Sequence, residues 1–301
     1  MLGIRPRLVR AVRGPAGPEA NANWHVWPLD GERVVLRCYH SRATPSDLAY
    51  EHRVMAHLAG RGWSVPVLLS PLVEHAGRWW CLTRFVVGRA RRAETARQQG
   101  QRGEVLARLH LDLRALASEL GQRPGWRAQH RAVTVHTDID WHAGLAALET
   151  VDPGLAEWAS TAADLAADDL LTVGAHELAV TVVHGDFAEW NVHYQASRLG
   201  GVIDFGLTHL DSRPYELAIA RTYRAPEVIE GYRKELERLG WSLSDLETAA
   251  LRPLYHAFRV DMTAWHLDHA RRTGQFDLDF IRAQLARTGA PPPRQHANQV
   301  V

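Results

Sequence analysis

Three polar side chains in the middle of the chain stand where chemistry needs them. Val182-Val183-His184-Gly185-Asp186 is followed by Phe187-Ala188-Glu189-Trp190-Asn191 and, ten residues on, by Gly201-Val202-Ile203-Asp204-Phe205-Gly206. The pattern reads as an apolar strand, a polar loop closing on Asn191, a short hairpin, and a second apolar strand closing on Asp204. Asp186, Asn191 and Asp204 are thereby gathered at one end of a small sheet. Phosphoryl transfer uses such a set: a carboxylate to orient an attacking hydroxyl and take its proton, and an amide oxygen and a second carboxylate to hold a divalent cation. The plain alternative makes Asp186 and Asp204 turn residues and Asn191 a loop cap, since Asx side chains fold back on local backbone.

The elements that must position these residues begin at the amino end. Residues 7–12 and 24–29 have the composition of two strands, and Asp30-Gly31 makes a hairpin turn into a third at 32–39. Residues 14–23 connect the first two; they lack Gly-x-Gly-x-x-Gly and offer Gly14, Gly17, Asn21 and Asn23 as backbone and amide donors. A loop over phosphates and an ordinary surface loop are both compatible with that composition. Thr44-Pro45 opens a helix, with Asp47 in its first turn and Leu48, Met55, Leu58 and Ala59 as its apolar stripe. Glu51 falls on that stripe, where a carboxylate needs a cation or an edge position open to water. Arg37, in the third strand, is the candidate cation. Residues 78–86 form a further strand, and a long helix opens at Glu104 and runs through His110.

The loop His-Gly-Asp, four residues, Asn, together with Asp-Phe-Gly, resembles the catalytic and metal loops of the aminoglycoside phosphotransferase and choline kinase family. The resemblance implies an α+β, two-lobed protein-kinase-like fold: a small β-rich lobe over residues 1–87 and a larger, mostly helical lobe over residues 88–301. It implies transfer of the ATP γ-phosphate, with GTP left open as donor, to a hydroxyl of an aminoglycoside-like antibiotic or related small molecule. Asp186 is then the catalytic base, Asn191 and Asp204 the Mg²⁺ ligands, and Arg37, paired with Glu51, the phosphate contact. Arg37 replaces the usual kinase lysine within Val35-Leu36-Arg37, a pattern shared by many antibiotic-kinase relatives. Asn21 and Asn23 would lie by the phosphates, and Arg84, Phe85 and Val86, in the link between lobes, by the adenine. His184 holds the loop through hydrogen bonds. Glu216, in Tyr215-Glu216-Leu217-Ala218, stands where the family has Asp, so the hydrogen bond that residue makes to the catalytic loop is expected to differ.

Other readings stay in view: a metabolic kinase acting on choline, homoserine or a sugar-like acceptor, and a catalytically silent nucleotide-binding regulatory module. A polycationic acceptor asks for carboxylates, which Asp138, Asp140, Glu189, Asp261 and Asp268 supply, although Arg221, Arg224 and Arg233 lie in the same lobe. In His136-Thr137-Asp138-Ile139-Asp140-Trp141-His142 a strand would put His, Asp, Asp and His on one metal-binding face; a loop entering a helix capped by Asp140 is the preferred reading. Residues 242–287 are helical by periodicity; Asp261, Trp265, His266 and Asp268 form a cluster that could face the acceptor, a solvated helix face being the preferred reading for each singly, and 291–301 form a Pro-rich end.

Composition narrows the partners. The 301 residues carry a formal charge of +1, with 34 acidic residues balancing an almost purely arginine positive charge in which Lys234 is the one lysine. A nucleic-acid partner is therefore not expected. Cys38 and Cys81 are isolated and fit a reducing compartment. No stretch has the length of a membrane span and the amino end has no signal-type apolar run, so a cytoplasmic location without membrane contact is expected. The residues set no expectation for oligomeric state.

Overall fold

A computed structural model describes residues 4–12, 20–91, 93–222 and 227–293. In chain order the strands are β1 (Pro6–Ala11), β2 (Ala22–Pro28), β3 (Val34–Cys38), β4 (Val73–His75), β5 (Arg78–Arg84), β6 (Arg89–Ala90), β7 (Val180–Val183), β8 (Val192–Gln195), β9 (Arg198–Val202) and β10 (His209–Ser212). The helices are α1 (Pro45–Gly60), α2 (Ala96–Leu113), α3 (Leu116–Leu120), α4 (Trp141–Glu149), α5 (Pro153–Thr172), α6 (Arg213–Thr222), α7 (Glu227–Arg238), α8 (Asp245–Thr273) and α9 (Leu278–Leu285). They fall into two compact units, Met1–Ala93 with Glu189–Thr208, and Glu94–Ala188 with His209–Val301.

The first unit is built on an antiparallel sheet in the order β1-β2-β3-β5-β4. β1, β2, β3 and β5 match the expected strands with ends shifted by a few residues, as fraying ends do, and β4 was not expected. Residues directly opposite each other in an antiparallel pair share a face. Asn23 lies opposite Arg37, and Arg37 opposite Cys81, so the three stand in a row across one face. Helix α1 starts as its sequence predicts. Thr44 Oγ1 accepts from the Asp47 amide at 3.2 Å, the Asp47 carboxylate accepts from the Thr44 amide at 3.3 Å, and Pro45 opens the first turn. Leu48, Met55 and Leu58 are buried, together with Tyr50, His52 and Val54. A second sheet, β6-β8-β9, carries the hairpin between Asn191 and Asp204. The glycines of β9 are required by close approach: a Cβ on Gly200 would stand 2.4 Å from the Val87 carbonyl oxygen, and one on Gly201 2.2 Å from that of Ser64.

The second unit is largely helical, with β7 and β10 as an antiparallel pair. Its core joins α4, α5, α6, α8 and α9 through residues such as Leu148, Trp158, Leu254, Leu267 and Ile281. Helix α2 begins at Ala96, not near Glu104. Thr95 and Gln98 form a capping box whose Thr-x-x-Gln spacing was legible in the sequence. Glycines bring α2 against α7: a Cβ on Gly103 would lie 2.0 Å from the Val228 carbonyl oxygen. The 242–287 segment is helical, divided where Gly274 adopts a left-handed conformation after α8. No helix among the described residues is long and apolar enough to cross a membrane.

In this unit one preferred reading holds and one expectation fails. Residues 136–142 are no strand: Asp140 accepts from the Ala143 amide at 3.0 Å and caps α4, as the preferred reading has it. No group of three His, Cys, Asp or Glu side chains able to hold a metal occurs among the described residues. Asp261 and Asp268 are not on a solvated face. Both are buried, Asp261 accepting from the Val135 amide at 3.0 Å and Asp268 paired with Arg272 at 2.9 Å. A carboxylate on a long helix tolerates burial where backbone donors or cations from neighbouring turns reach it.

Candidate active site

In the second unit the chain leaves β7 at Val183 and turns at Gly185, whose φ of 86° suits a residue without Cβ. Residues 181–185 and Phe187 and Ala188 are buried, while Asp186 keeps partial exposure. The backbone beneath Asp186 is closely held. Glu216 accepts from the His184 amide at 2.9 Å and from the Gly185 amide at 2.6 Å. His184, fully buried, accepts from the Asp186 amide through Nδ1 at 3.2 Å, so its ring serves as a brace for the loop. The Asp186 carbonyl accepts from the Ala188 amide at 2.8 Å.

Glu216 is itself fixed by His110, whose Nε2 lies 2.9 Å from Oε2 and whose Nδ1 meets the Tyr232 hydroxyl at 2.9 Å. Nε2–H donates to Glu216, and Nδ1 meets the Tyr232 hydroxyl as acceptor in the neutral ring or as donor in the imidazolium. Burial would raise the Glu216 carboxyl, but hydrogen bonding and charge from His110, with His184 behind, hold it below the ordinary range. Glu216 thus contacts the loop through both carboxylate oxygens, spanning two amides and an imidazole.

In the first unit Arg37, buried at the end of β3, reaches Glu51 of α1 at 3.6 Å and Asp204 at 3.4 Å through the same Nη2. Its guanidinium also lies over the Tyr39 ring, 4.8 Å from the centroid. Burial alone favours loss of its proton, yet Glu51, Tyr39 and Asp204 more than compensate and raise it. The neighbouring His52 is driven the other way, down to about 4, by burial and by Arg37, and is neutral. Asp204 takes a left-handed conformation (φ 63°) and keeps a half-exposed carboxylate. Non-glycine residues pay for that geometry, which is found where function fixes the backbone. The hairpin brings its two ends together: Val192 pairs with Val202, and the Ile203 amide donates to the Asn191 carbonyl at 2.9 Å. Asn191 thus sits across from Ile203, beside Asp204.

The remaining candidates are placed less uniformly. Asn23 shares the sheet face of Arg37; the Asn21 side-chain Oδ1 accepts from the His40 amide at 2.9 Å, and its Nδ2 lies beside Gly206, as do Arg37 Nη2 and Asp204 Oδ1. Gly14 and Gly17 lie outside the described residues. The Arg84 amide donates to the Val67 carbonyl at 2.9 Å and is engaged within the unit. Phe85 carries the Arg33 guanidinium on its ring face, 3.3 Å from the centroid, with His25 edge-on at 5.2 Å. Val86 is buried and its backbone is hydrogen-bonded by His193. Arg224, weighed above as a counter-charge, lies outside the described residues.

Residues 11–254 match the model of the phosphotransferase enzyme family, APH. The chain belongs to this family. Among curated relatives, the chain is 32% identical over 195 residues to a homoserine kinase of Azorhizobium caulinodans, covering 62% of this chain and 56% of that one. It is 30% identical over 223 residues to a homoserine kinase of Granulibacter bethesdensis, covering 70% and 63%. These matches span less than two thirds of the relatives' own length. Among solved structures it is similar to a thermostable mutant of aminoglycoside phosphotransferase APH(4)-Ia bound to ADP and hygromycin B (TM-score 0.64, 19% identical, 95% of each chain). It is also similar to a microcompartment-associated aminopropanol kinase (TM-score 0.63, 17% identical, 94% of this chain and 89% of that one). At those identities the likeness is one of fold, and the fold is the expected α+β protein-kinase-like one.

Sequence reasoning missed the buried supports of the loop. His110 was read only as part of the helix opening at Glu104, and Glu94 and Arg102, which precede that start, were not singled out, though the side chains of all three are withdrawn from solvent. The signal was present in Arg102, a charged residue three positions before Val105 on an apolar helical face, the same argument that singled out Glu51.

Proposed function

We propose that this phosphotransferase moves the γ-phosphate of ATP to the hydroxyl of a small amine-bearing alcohol, with Mg²⁺ as cofactor, and that homoserine is the first acceptor to test. The observation that carries the reading is the meeting of Arg37, Glu51 and Asp204 in one buried-to-exposed ion cluster, with Asn191 tied beside it by the hairpin. Asn191 and Asp204 fit Mg²⁺ in kind: few, hard oxygen donors, one of them half-exposed, suit an ion that keeps water and takes the rest of its shell from phosphates. Bound there, the ion would neutralise charge on the phosphate oxygens. Arg37, held by Glu51, would steady the phosphates. Asp186 would accept the hydrogen bond of the acceptor hydroxyl and take its proton as the new oxygen–phosphorus bond forms and the bond to the leaving ADP oxygen breaks. Positioning and charge do the work, with no covalent enzyme intermediate.

A small acceptor is favoured over a polycationic antibiotic because three of the five carboxylates named for a polycation are engaged within the fold. Asp261 holds Val135, Asp268 holds Arg272, and Asp140 caps α4. The curated relatives named homoserine kinase point the same way. Asp186→Ala should abolish phosphate transfer across a panel of homoserine, choline, aminopropanol and aminoglycosides, with nucleotide affinity retained by calorimetry. Undiminished turnover in that variant, or a wild-type protein that binds nucleotide but phosphorylates none of these hydroxyls, refutes the proposal; the second result favours a silent nucleotide-binding module.

A further inference from the structure

Glu216 and His184 secure the backbone before Asp186. The backbone after it is held by a different device. Arg102 of α2 is among the largest fully buried side chains, 1% exposed, on the same helix as the buried Val105, Leu106, Leu109 and Leu113. A guanidinium cannot shed its proton, so burial there requires charge and hydrogen-bond partners. Two are present. Nε lies 2.8 Å from Oε2 of the equally buried Glu94, and Nη1 donates to the Phe187 carbonyl at 2.8 Å.

From these contacts we infer that Arg102, oriented by Glu94, is a positioning residue for Asp186. The reasoning runs through the peptide planes. The amide of Asp186 is held by His184 Nδ1, its carbonyl by the Ala188 amide, and the next carbonyl, that of Phe187, by Arg102. The Phe187 carbonyl and the Ala188 amide share one peptide plane, so Arg102 fixes the donor that holds the Asp186 carbonyl, and the two planes flanking Asp186 set its backbone torsions and the point from which its carboxylate leaves the loop. The planar fork makes this a directed contact: once Nε is bound to Glu94, the direction of Nη1 is set, which a lysine ammonium with freely turning donors cannot reproduce. The base of the side chain is fixed too, because neighbouring Gly103 lets α2 lie directly against the α7 backbone at Val228. Glu94 stands two residues before α2, immediately after the last residue of the first unit's opening segment, so the anchor joins the entry of this helix to the loop that bears Asp186.

The inference deepens the proposed phosphoryl transfer and rests on it for its kinetic consequence. A displacement of the reacting group by about 1 Å costs on the order of 100-fold in rate. Arg102→Met, Arg102→Lys and Glu94→Gln are each assayed well below their own melting temperatures, so that only folded enzyme is compared. The expected order of loss in kcat is Met, then Lys, then the glutamine variant, with Arg102→Met falling by about 100-fold while KM for the nucleotide stays within about two-fold. A merely structural role would lower the melting temperature and leave kcat of the folded protein intact. Hydrogen exchange at the amides of residues 185–188 gives a readout independent of turnover, and it should accelerate in all three variants relative to α8. Unchanged exchange in this segment, or full kcat in Arg102→Met, overturns the inference. A wild-type protein without transferase activity whose exchange still responds to these variants instead overturns the functional reading and leaves the anchor standing.

Discussion

Replacing Asp261 by Asn should make the protein more stable at neutral and alkaline pH. Asp261 lies on α8, 5% exposed, and its Oδ1 accepts from the Val135 amide at 3.0 Å. Burial pushes its carboxyl up from 3.8 to about 6; the Thr134 and Val135 hydrogen bonds and His209 oppose the shift, and Asp211 adds to it. In the unfolded chain the group titrates at its ordinary value, so between pH 3.8 and about 6 the folded state holds a proton that the unfolded state has lost. The stability this supplies is complete below 3.8 and is lost as pH rises through about 6. A gap of about two units is worth ~3 kcal/mol, which is the cost of the ionised carboxylate above neutrality. Asparagine keeps an oxygen for the Val135 amide and removes the charge. Urea denaturation of both proteins between pH 4.5 and 8 measures the difference directly. The wild type should lose stability relative to Asp261→Asn across the acid limb and trail it by ~2–3 kcal/mol at pH 8, allowing for a weaker neutral hydrogen bond. A variant less stable than wild type at pH 8, or a difference that does not change with pH, refutes the reasoning.

The ion cluster and the thiols give two further tests. Arg37→Met removes the cation from the buried Glu51 and should cost roughly 3–5 kcal/mol, while the double variant with Glu51→Gln recovers part of that loss; equal stability of single and double variants in urea would mean that the pair is not coupled. The same single variant should raise the nucleotide KM, measured by initial rates over a nucleotide titration. Burial raises the Cys81 thiol to about 11, against smaller opposing effects of Tyr39 and Arg37, and Cys38 is buried as well. Neither should react with a thiol-specific disulfide reagent at pH 8 in the native protein and both should react in denaturant; rapid native labelling would contradict their burial.

Features set by short stretches of chain were legible in the residues. The short hairpin between Asn191 and Asp204 was expected, but the apolar strand before it, β7, pairs with β10 and does not join the hairpin's sheet. Closure of such a hairpin obliges the residue before Val192 to face the residue after Val202. The start of α1 follows from Thr44, Pro45 and Asp47, and the cap of α4 from Asp140. Arg37 and Glu51 could be paired because burial of a carboxylate on an apolar stripe demands a cation. Where the same logic was not applied, at Arg102, the residue passed unnoticed.

Spatial pairing across long stretches of chain was not legible. Arg102 meets a carbonyl 85 residues away, and His110 meets a carboxylate 106 residues away. Nothing in either neighbourhood names the other. The sidedness of α8 was hidden for a related reason. Its heptad of polar and apolar residues admits a solvated face until the 134–135 backbone arrives to take Asp261 and a turn of arginines closes over Asp268. Sequence alone determined which residue types would do chemistry and the local turns that present them, because those depend on neighbours within a few positions. The tertiary structure alone decided which charged groups are withdrawn from water and what meets them there, because desolvation depends on everything that packs around a group, and a buried charge accepts only the partners that the completed fold delivers.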